Sequence, residues 1–125
     1  MQGDLAISSI SPTAISGTFS GDLEGSLATT VVNSYTILTP LGPVKYIRAH
    51  SLITTADGTI NTRDNITVFG YQGHRVWRGH HKITGGTGAY EDHVGRLKTR
   101  GEVLQGGVAD LHYKGAICTV TVTGP

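Results

Sequence analysis

The chain has one cysteine, one methionine, one tryptophan and no surplus of either charge. A single thiol excludes an internal disulfide framework and any cysteine-built metal site. Ten Lys and Arg against nine Asp and Glu leave a formal charge of +1. That balance gives no reason to expect a phosphate backbone or an anionic membrane as partner. No stretch approaches the roughly 20 apolar residues of a membrane-crossing helix. The opening Met1-Gln2-Gly3-Asp4 lacks the basic region and apolar core of a secretory signal, so a cytoplasmic location is expected. At 125 residues the chain suits one domain spanning 1–125, not two.

What is abundant is glycine, with 18 residues, and threonine, with 17; valine and isoleucine contribute ten each. Glycine and proline divide the sequence so finely that long helices are nearly excluded. The longest stretches free of both are Ser26–Thr39 and Val44–Asp57. Their branched and aromatic side chains suit a pleated surface. The fold class is all-β.

Turn residues set the segmentation. Pro40-Leu41-Gly42-Pro43, Asp57-Gly58, Gly70–Gly73 and Gly106-Gly107 each predict a reversal. Between them lie long strands such as Val44–Thr55, Thr59–Phe69, His74–Thr84 and Val108–Thr123. Gly85–Tyr90 predicts a bulge or short helical turn. The segment 1–12 is either an edge strand or a flexible arm. Seven or eight hairpin-linked strands argue for a meander, and closing it into an antiparallel barrel removes both edges. A two-sheet sandwich is the alternative.

Ile83-Thr84-Gly85-Gly86-Thr87-Gly88-Ala89-Tyr90, followed by Gly95-Arg96-Leu97, Gly101 and Gly115, resembles the glycine-rich repeat of the allene oxide cyclase and dirigent barrel group. The likeness extends through Gly17–Leu23 and Thr54–Ile60, and is nearest to small bacterial members of that group. It implies an eight-stranded antiparallel barrel with an apolar cavity, often oligomeric. It also implies ring closure or radical coupling of reactive lipid, phenolic or polyketide-like molecules without a cofactor. The glycine loop itself is not a nucleotide motif, since no Lys-Ser or Lys-Thr follows Gly88.

The candidate chemistry lies in polar side chains embedded in strands. Tyr46, Arg48 and His50 share one face over about 14 Å. Arg63 and Asp64, counted back from the Asp57-Gly58 turn, fall opposite Arg48–Ser51. In a closed cavity Tyr46, Arg48 or His50 would donate hydrogen bonds to a developing enolate, with Asp64 as acceptor or base. Trp77, His81, Arg63 and Tyr90 are the candidate substrate-binding residues. A plain Arg48–Asp64 ion pair is the competing account. Adjacent His80 and His81 point to opposite faces of a strand, and the remaining histidines are dispersed, so no metal is expected. Cys118, in an apolar strand pattern, is expected to be buried and inert. The basic residues of Gly73–Gly101 form no continuous run and lack interleaved aromatics, so no nucleic-acid partner is expected. The expected function is a cofactor-independent cyclase or isomerase acting on a hydrophobic, polyketide-like intermediate, in a homodimer or other homo-oligomer. A noncatalytic small-molecule-binding barrel and a structural or protein-interaction module with a packed interior are the alternatives.

Overall fold

A computed structural model describes residues 1–119. Eight strands follow one another: β1 (Gln2–Ile10), β2 (Ala14–Gly21), β3 (Gly25–Thr39), β4 (Gly42–Thr55), β5 (Gly58–Tyr71), β6 (His74–Gly86), β7 (His93–Leu104) and β8 (Val108–Thr119). Each pairs antiparallel with its neighbours in sequence, and β8 pairs with β1 to close the barrel. The barrel, rather than the sandwich, is the architecture. A single 3₁₀ turn, Gly88–Tyr90, interrupts the β6–β7 connection. Among the described residues no helix is long and apolar enough to cross a membrane.

The local reasons are visible strand by strand. In β5, Ile60, Thr62, Asp64, Ile66 and Val68 are buried while Arg63 and Asn65 are exposed, a strict two-residue alternation. Counting back from the turn places this strand opposite Arg48–Ser51, as the pairing bears out. The register is Arg48↔Asn65, Ala49↔Asp64, His50↔Arg63 and Ser51↔Thr62. The turn before β5 is shifted by one residue from the expected Asp57-Gly58 pair. Thr55 pairs with Gly58, so Ala56 and Asp57 form the loop and Gly58, at φ +150°, receives it. A side chain there would also run into the Thr87 carbonyl, so both conformation and space require glycine.

The first strand corrects the reading of segment 1–12. β1 is neither arm nor edge: Leu5 pairs with Phe19 of β2 and Leu111 of β8, and Leu5 and Ile7 are core residues. The edge lies elsewhere. Pairing of β2 with β3 begins at Ala14↔Thr30, whereas β3 and β4 remain paired out to Thr39↔Gly42. The hairpin tip therefore projects past β2. A bulge between Val31 and Asn33 shifts the alternation there and turns Tyr35 outward onto Tyr46.

Tyr113 anchors the opposite end of the barrel. Its hydroxyl donates to the Ser20 carbonyl at 2.9 Å and accepts the Leu23 N–H at 2.6 Å. Its ring meets Phe19 edge to face. Burial raises the phenol above the ordinary tyrosine value, against an opposing contribution from the Leu23 bond.

Candidate functional site

Inside the barrel, hydroxyl-bearing residues stand at positions the alternation reserves for the core. Thr29, Ser51, Thr62 and Thr99 are buried with Asp64, on β3, β4, β5 and β7. They form one connected chain. Thr29 and Ser51 hydroxyls lie 2.6 Å apart, and Ser51 donates to Asp64 Oδ2. Thr62 donates to Asp64 Oδ1 at 2.6 Å, and His81 Nδ1 meets the same oxygen at 2.8 Å. On the far side of the imidazole, Nε2 is 2.7 Å from Thr99 Oγ1, which also accepts the Trp77 indole N–H at 2.9 Å. Indole only donates. With the imidazole proton on Nδ1, the Thr99 hydroxyl is free to donate to Nε2, and every bond has one donor and one acceptor. Gly79 leaves the space between Trp77 and His81: a methyl group there would strike both His81 Nε2 and Thr99 Oγ1.

Thr99, His81 and Asp64 stand in the order hydroxyl, imidazole, carboxylate that activates a nucleophile. The surroundings withhold the rest of that chemistry. The Asp64 side chain has 0% of its surface accessible and that of His81 11%. The cavity beside them, walled by Leu5, Ile15, Phe19, Leu27, Trp77 and Leu97, measures about 10 Å³. That is room for one water at most. Among the described residues every buried side-chain nitrogen or oxygen has a protein partner, so none is held open for a ligand. The expected open apolar lumen is filled by its own side chains.

The outer surface is different. Strand pairing carries outward side chains into transverse rows. One row runs Arg48, Asn65, His80, Lys98, Lys114 across β4–β8; the next runs His50, Arg63, Lys82, Arg96, Ala116; a third runs Tyr46, Thr67, Arg78, Arg100, His112. These fifteen positions hold eight of the ten Lys and Arg, three of the six His, and no carboxylate. Four Lys/Arg pairs face each other directly: Arg63–Lys82, Lys82–Arg96, Lys98–Lys114 and Arg78–Arg100. Like charges directly opposite across strands destabilise a sheet. Acids stand at the margins of these rows: Asp4 of β1 lies 2.8 Å from His112, and the next outward row, which begins at Phe69 and Val76, ends in Glu102 and Asp110. Five of the nine acids, Asp22, Glu24, Asp57, Glu91 and Asp92, sit instead in or beside the connections at one end of the barrel. The near-neutral total thus conceals a strongly polarised molecule. Two hollows lie over the basic face. One, about 870 Å³, is bordered by Arg48, His50, Arg63, His80, Lys82, Arg96 and Lys98. The other, about 830 Å³, lies between Arg78, Lys98, Arg100, His112 and Lys114, with Asp4 at its β1 side.

The residues named from sequence divide between these two places. Arg48, His50 and Arg63 border the larger outer hollow, and Tyr46 stands beside it on β4. Asp64, His81 and Trp77 face inward. Arg48 and Asp64 both border the larger hollow, but their side chains lie on opposite faces of the sheet and form no ion pair; the carboxylate is held by His81 instead. Tyr90 packs on the rim of the core, edge to face with His93. Cys118 is exposed, contrary to expectation, because it shares the outward phase of β8 with His112 and Lys114. Thr29, Ser51, Thr62 and Thr99 were missed, although each stands in phase with aliphatic core positions. The basic residues are discontinuous along the chain and contiguous across it. Aromatic side chains border them, with Tyr35 stacked on Tyr46 at 5.3 Å and the Arg78 guanidinium 5.6 Å from the Phe69 ring centre. No family model, curated protein or solved structure matches the chain, so its own residues carry the functional reading.

Proposed function

We propose that this protein is a noncatalytic binding module that holds a polyanion on the outer face of β4–β8, with the filled barrel as its scaffold. The observation that carries this reading is the set of fifteen outward positions with eight Lys or Arg and no carboxylate. Opposed cations weaken the folded state unless a counter-charge sits between them. A bound polyanion supplies that charge and releases the small ions condensed on it. Titration calorimetry with inorganic polyphosphate in 20 mM salt tests the proposal. Binding that weakens steeply with salt and is lost in Arg96→Glu/Lys98→Glu supports it. No heat and no rise in melting temperature at millimolar polyphosphate overturns it.

A second reading follows from the resemblance to the allene oxide cyclase and dirigent group, which we retain as a proposal of kinship. His81 and Trp77 do share the lumen with aliphatic walls, and Asp64 is buried behind His81. A cofactor-free cyclase would use them only if the barrel opened, because about 10 Å³ admits no substrate. Conversion of a reactive polyene or polyketide to a cyclic isomer by the pure protein, abolished in His81→Ala, would establish it. We also propose self-association through the projecting part of β3. There Tyr35 is 50% and Leu38 83% exposed, and Val32–Thr39 contains no charge or proline to blunt the edge. Sedimentation equilibrium yielding only a 13.2 kDa species across a wide concentration range removes that proposal. A cytoplasmic location belongs to the same set of proposals.

A further inference from the structure

We infer that the polyanion is a single-stranded nucleic acid, its phosphates on the cationic rows and its bases on the aromatic border formed by Tyr46 and Phe69. The inference rests on the polyanion reading and adds a ligand class to it. Charge alone does not choose among polyphosphate, a sulfated polysaccharide and a nucleic acid. The aromatic border favours the nucleic acid, because an unpaired base presents a planar π-face to stack on it, whereas polyphosphate has no ring and a sulfated sugar offers only a puckered C–H face crowded by charge.

The placement is specific. Tyr46 lies on β4 one outward step from Arg48, and Phe69 lies on β5 one outward step from Thr67, whose cross-strand neighbour is Arg78. Tyr35 backs Tyr46 from the adjacent strand, with the two rings 23° from parallel. Arg78 lies over the Phe69 ring, so the border already holds a planar cation against an aromatic face. Successive outward residues are about 6.7 Å apart along a strand and neighbouring strands about 4.8 Å apart. The cationic rows therefore follow an arc of about 19 Å halfway around the closed barrel from β4 to β8, a path that a flexible strand of several nucleotides can track. A duplex fits less well, because its bases are stacked on one another and present no free face to Tyr46 or Phe69. Neutralising six phosphates on these rows would give a slope of about −4 in log affinity against log salt, at about 0.7 per phosphate for a single strand.

Fluorescence anisotropy with labelled dodecamers of deoxythymidylate and uridylate tests the inference, with a duplex of equal length and inorganic polyphosphate as comparisons. The expected result is salt-sensitive binding of the single strands with a slope near −4. Tyr46→Leu/Phe69→Leu should weaken oligonucleotide binding by about 30-fold or more, the loss of stacking on two bases, while leaving polyphosphate binding unchanged. Arg96→Glu/Lys98→Glu should weaken both. If the aromatic variant binds oligonucleotide as tightly as the parent, or the duplex binds tighter than the single strand, the inference fails and the polyanion reading stands. If neither oligonucleotide nor polyphosphate binds, both fail. Photocrosslinking of 5-iodouracil oligonucleotides to the unaltered protein gives an answer independent of variant folding. Adducts at Tyr35, Tyr46 or Phe69 support the inference, and adducts confined to other residues overturn it.

Discussion

Replacing Lys82 by Glu should make this protein more stable and a poorer binder at the same time. Lys82 is opposed by Arg63 on one side and Arg96 on the other. Each directly opposed like-charge pair disfavours the sheet by roughly 0.2–1 kcal/mol, and an opposite-charge pair favours it by a similar amount. Reversing one charge converts two repulsions into two attractions, a change of about 1–4 kcal/mol before screening. These side chains are exposed, and exposed pairs lose much of that to solvent and side-chain entropy, leaving about 0.5–2 kcal/mol. For a domain of this size the gain corresponds to a rise in melting temperature of about 2–8 °C in 20 mM salt. Lys and Glu are both poor strand formers, so propensity does not account for the change. At 1 M salt, where the screening length is about 3 Å, the difference should nearly vanish. Lys82→Gln should give about half the effect. Differential scanning calorimetry at the two salt concentrations measures it directly. A lower melting temperature in low salt, or a gain that persists unchanged in 1 M salt, would refute the idea that this face carries unrelieved repulsion.

The interior makes predictions of its own. Asp64→Asn places an amide where three donors converge, and should lower stability by about 3 kcal/mol or more in urea unfolding, since a buried network loses its acceptor. Gly79→Ala should separate His81 from Thr99 and destabilise by about 1–3 kcal/mol, seen also as a change in Trp77 fluorescence. Tyr113→Phe strands the Leu23 N–H and the Ser20 carbonyl, at about 1–3 kcal/mol. Because the folded-state pKa of Tyr113 is raised, its contribution is intact below the unfolded value near 10 and is lost as pH rises through the folded value. Alkaline unfolding should accordingly be shallower in Tyr113→Phe than in the parent, by circular dichroism between pH 9 and 12. Cys118 should react with a thiol reagent in the native protein at a rate that low urea does not change.

Much of the fold was legible because turns and alternation are local. The Gly106-Gly107 turn carries two positive-φ glycines, and the β4–β5 register follows from counting back from one hairpin. The direction each face points was harder. Alternation groups Tyr46, Arg48 and His50 against Ile47, Ala49, Ser51 and Ile53, and the second set is plainly the more aliphatic. Expecting a cavity drew the polar set inward; the ordinary preference of aliphatic groups for the interior would have placed it outside. The buried hydroxyls had a signal too, since Thr29 follows Leu27 and Ser51 separates Ala49 from Ile53 in the same phase. The basic face had none in linear form. Lys82, Arg96 and Arg63 become neighbours only through pairings among three strands, so no window of sequence contains them together.

Closure of the barrel imposes an order on biosynthesis. Seven of the eight strand pairings join consecutive segments through short connections and can form as each hairpin leaves the ribosome. The eighth joins Gln2 to Lys114 and Ile7 to Ala109, and must wait until β8 emerges. Bringing those ends together carries about 2 kcal/mol more loop entropy than a ten-residue hairpin does. Until then the nascent sheet has two bare flanks, β1 and whichever strand was made last, each able to recruit another chain. Slowing translation ahead of β8 would lengthen that interval, and the yield of folded protein should fall with it even though the finished barrel is unchanged.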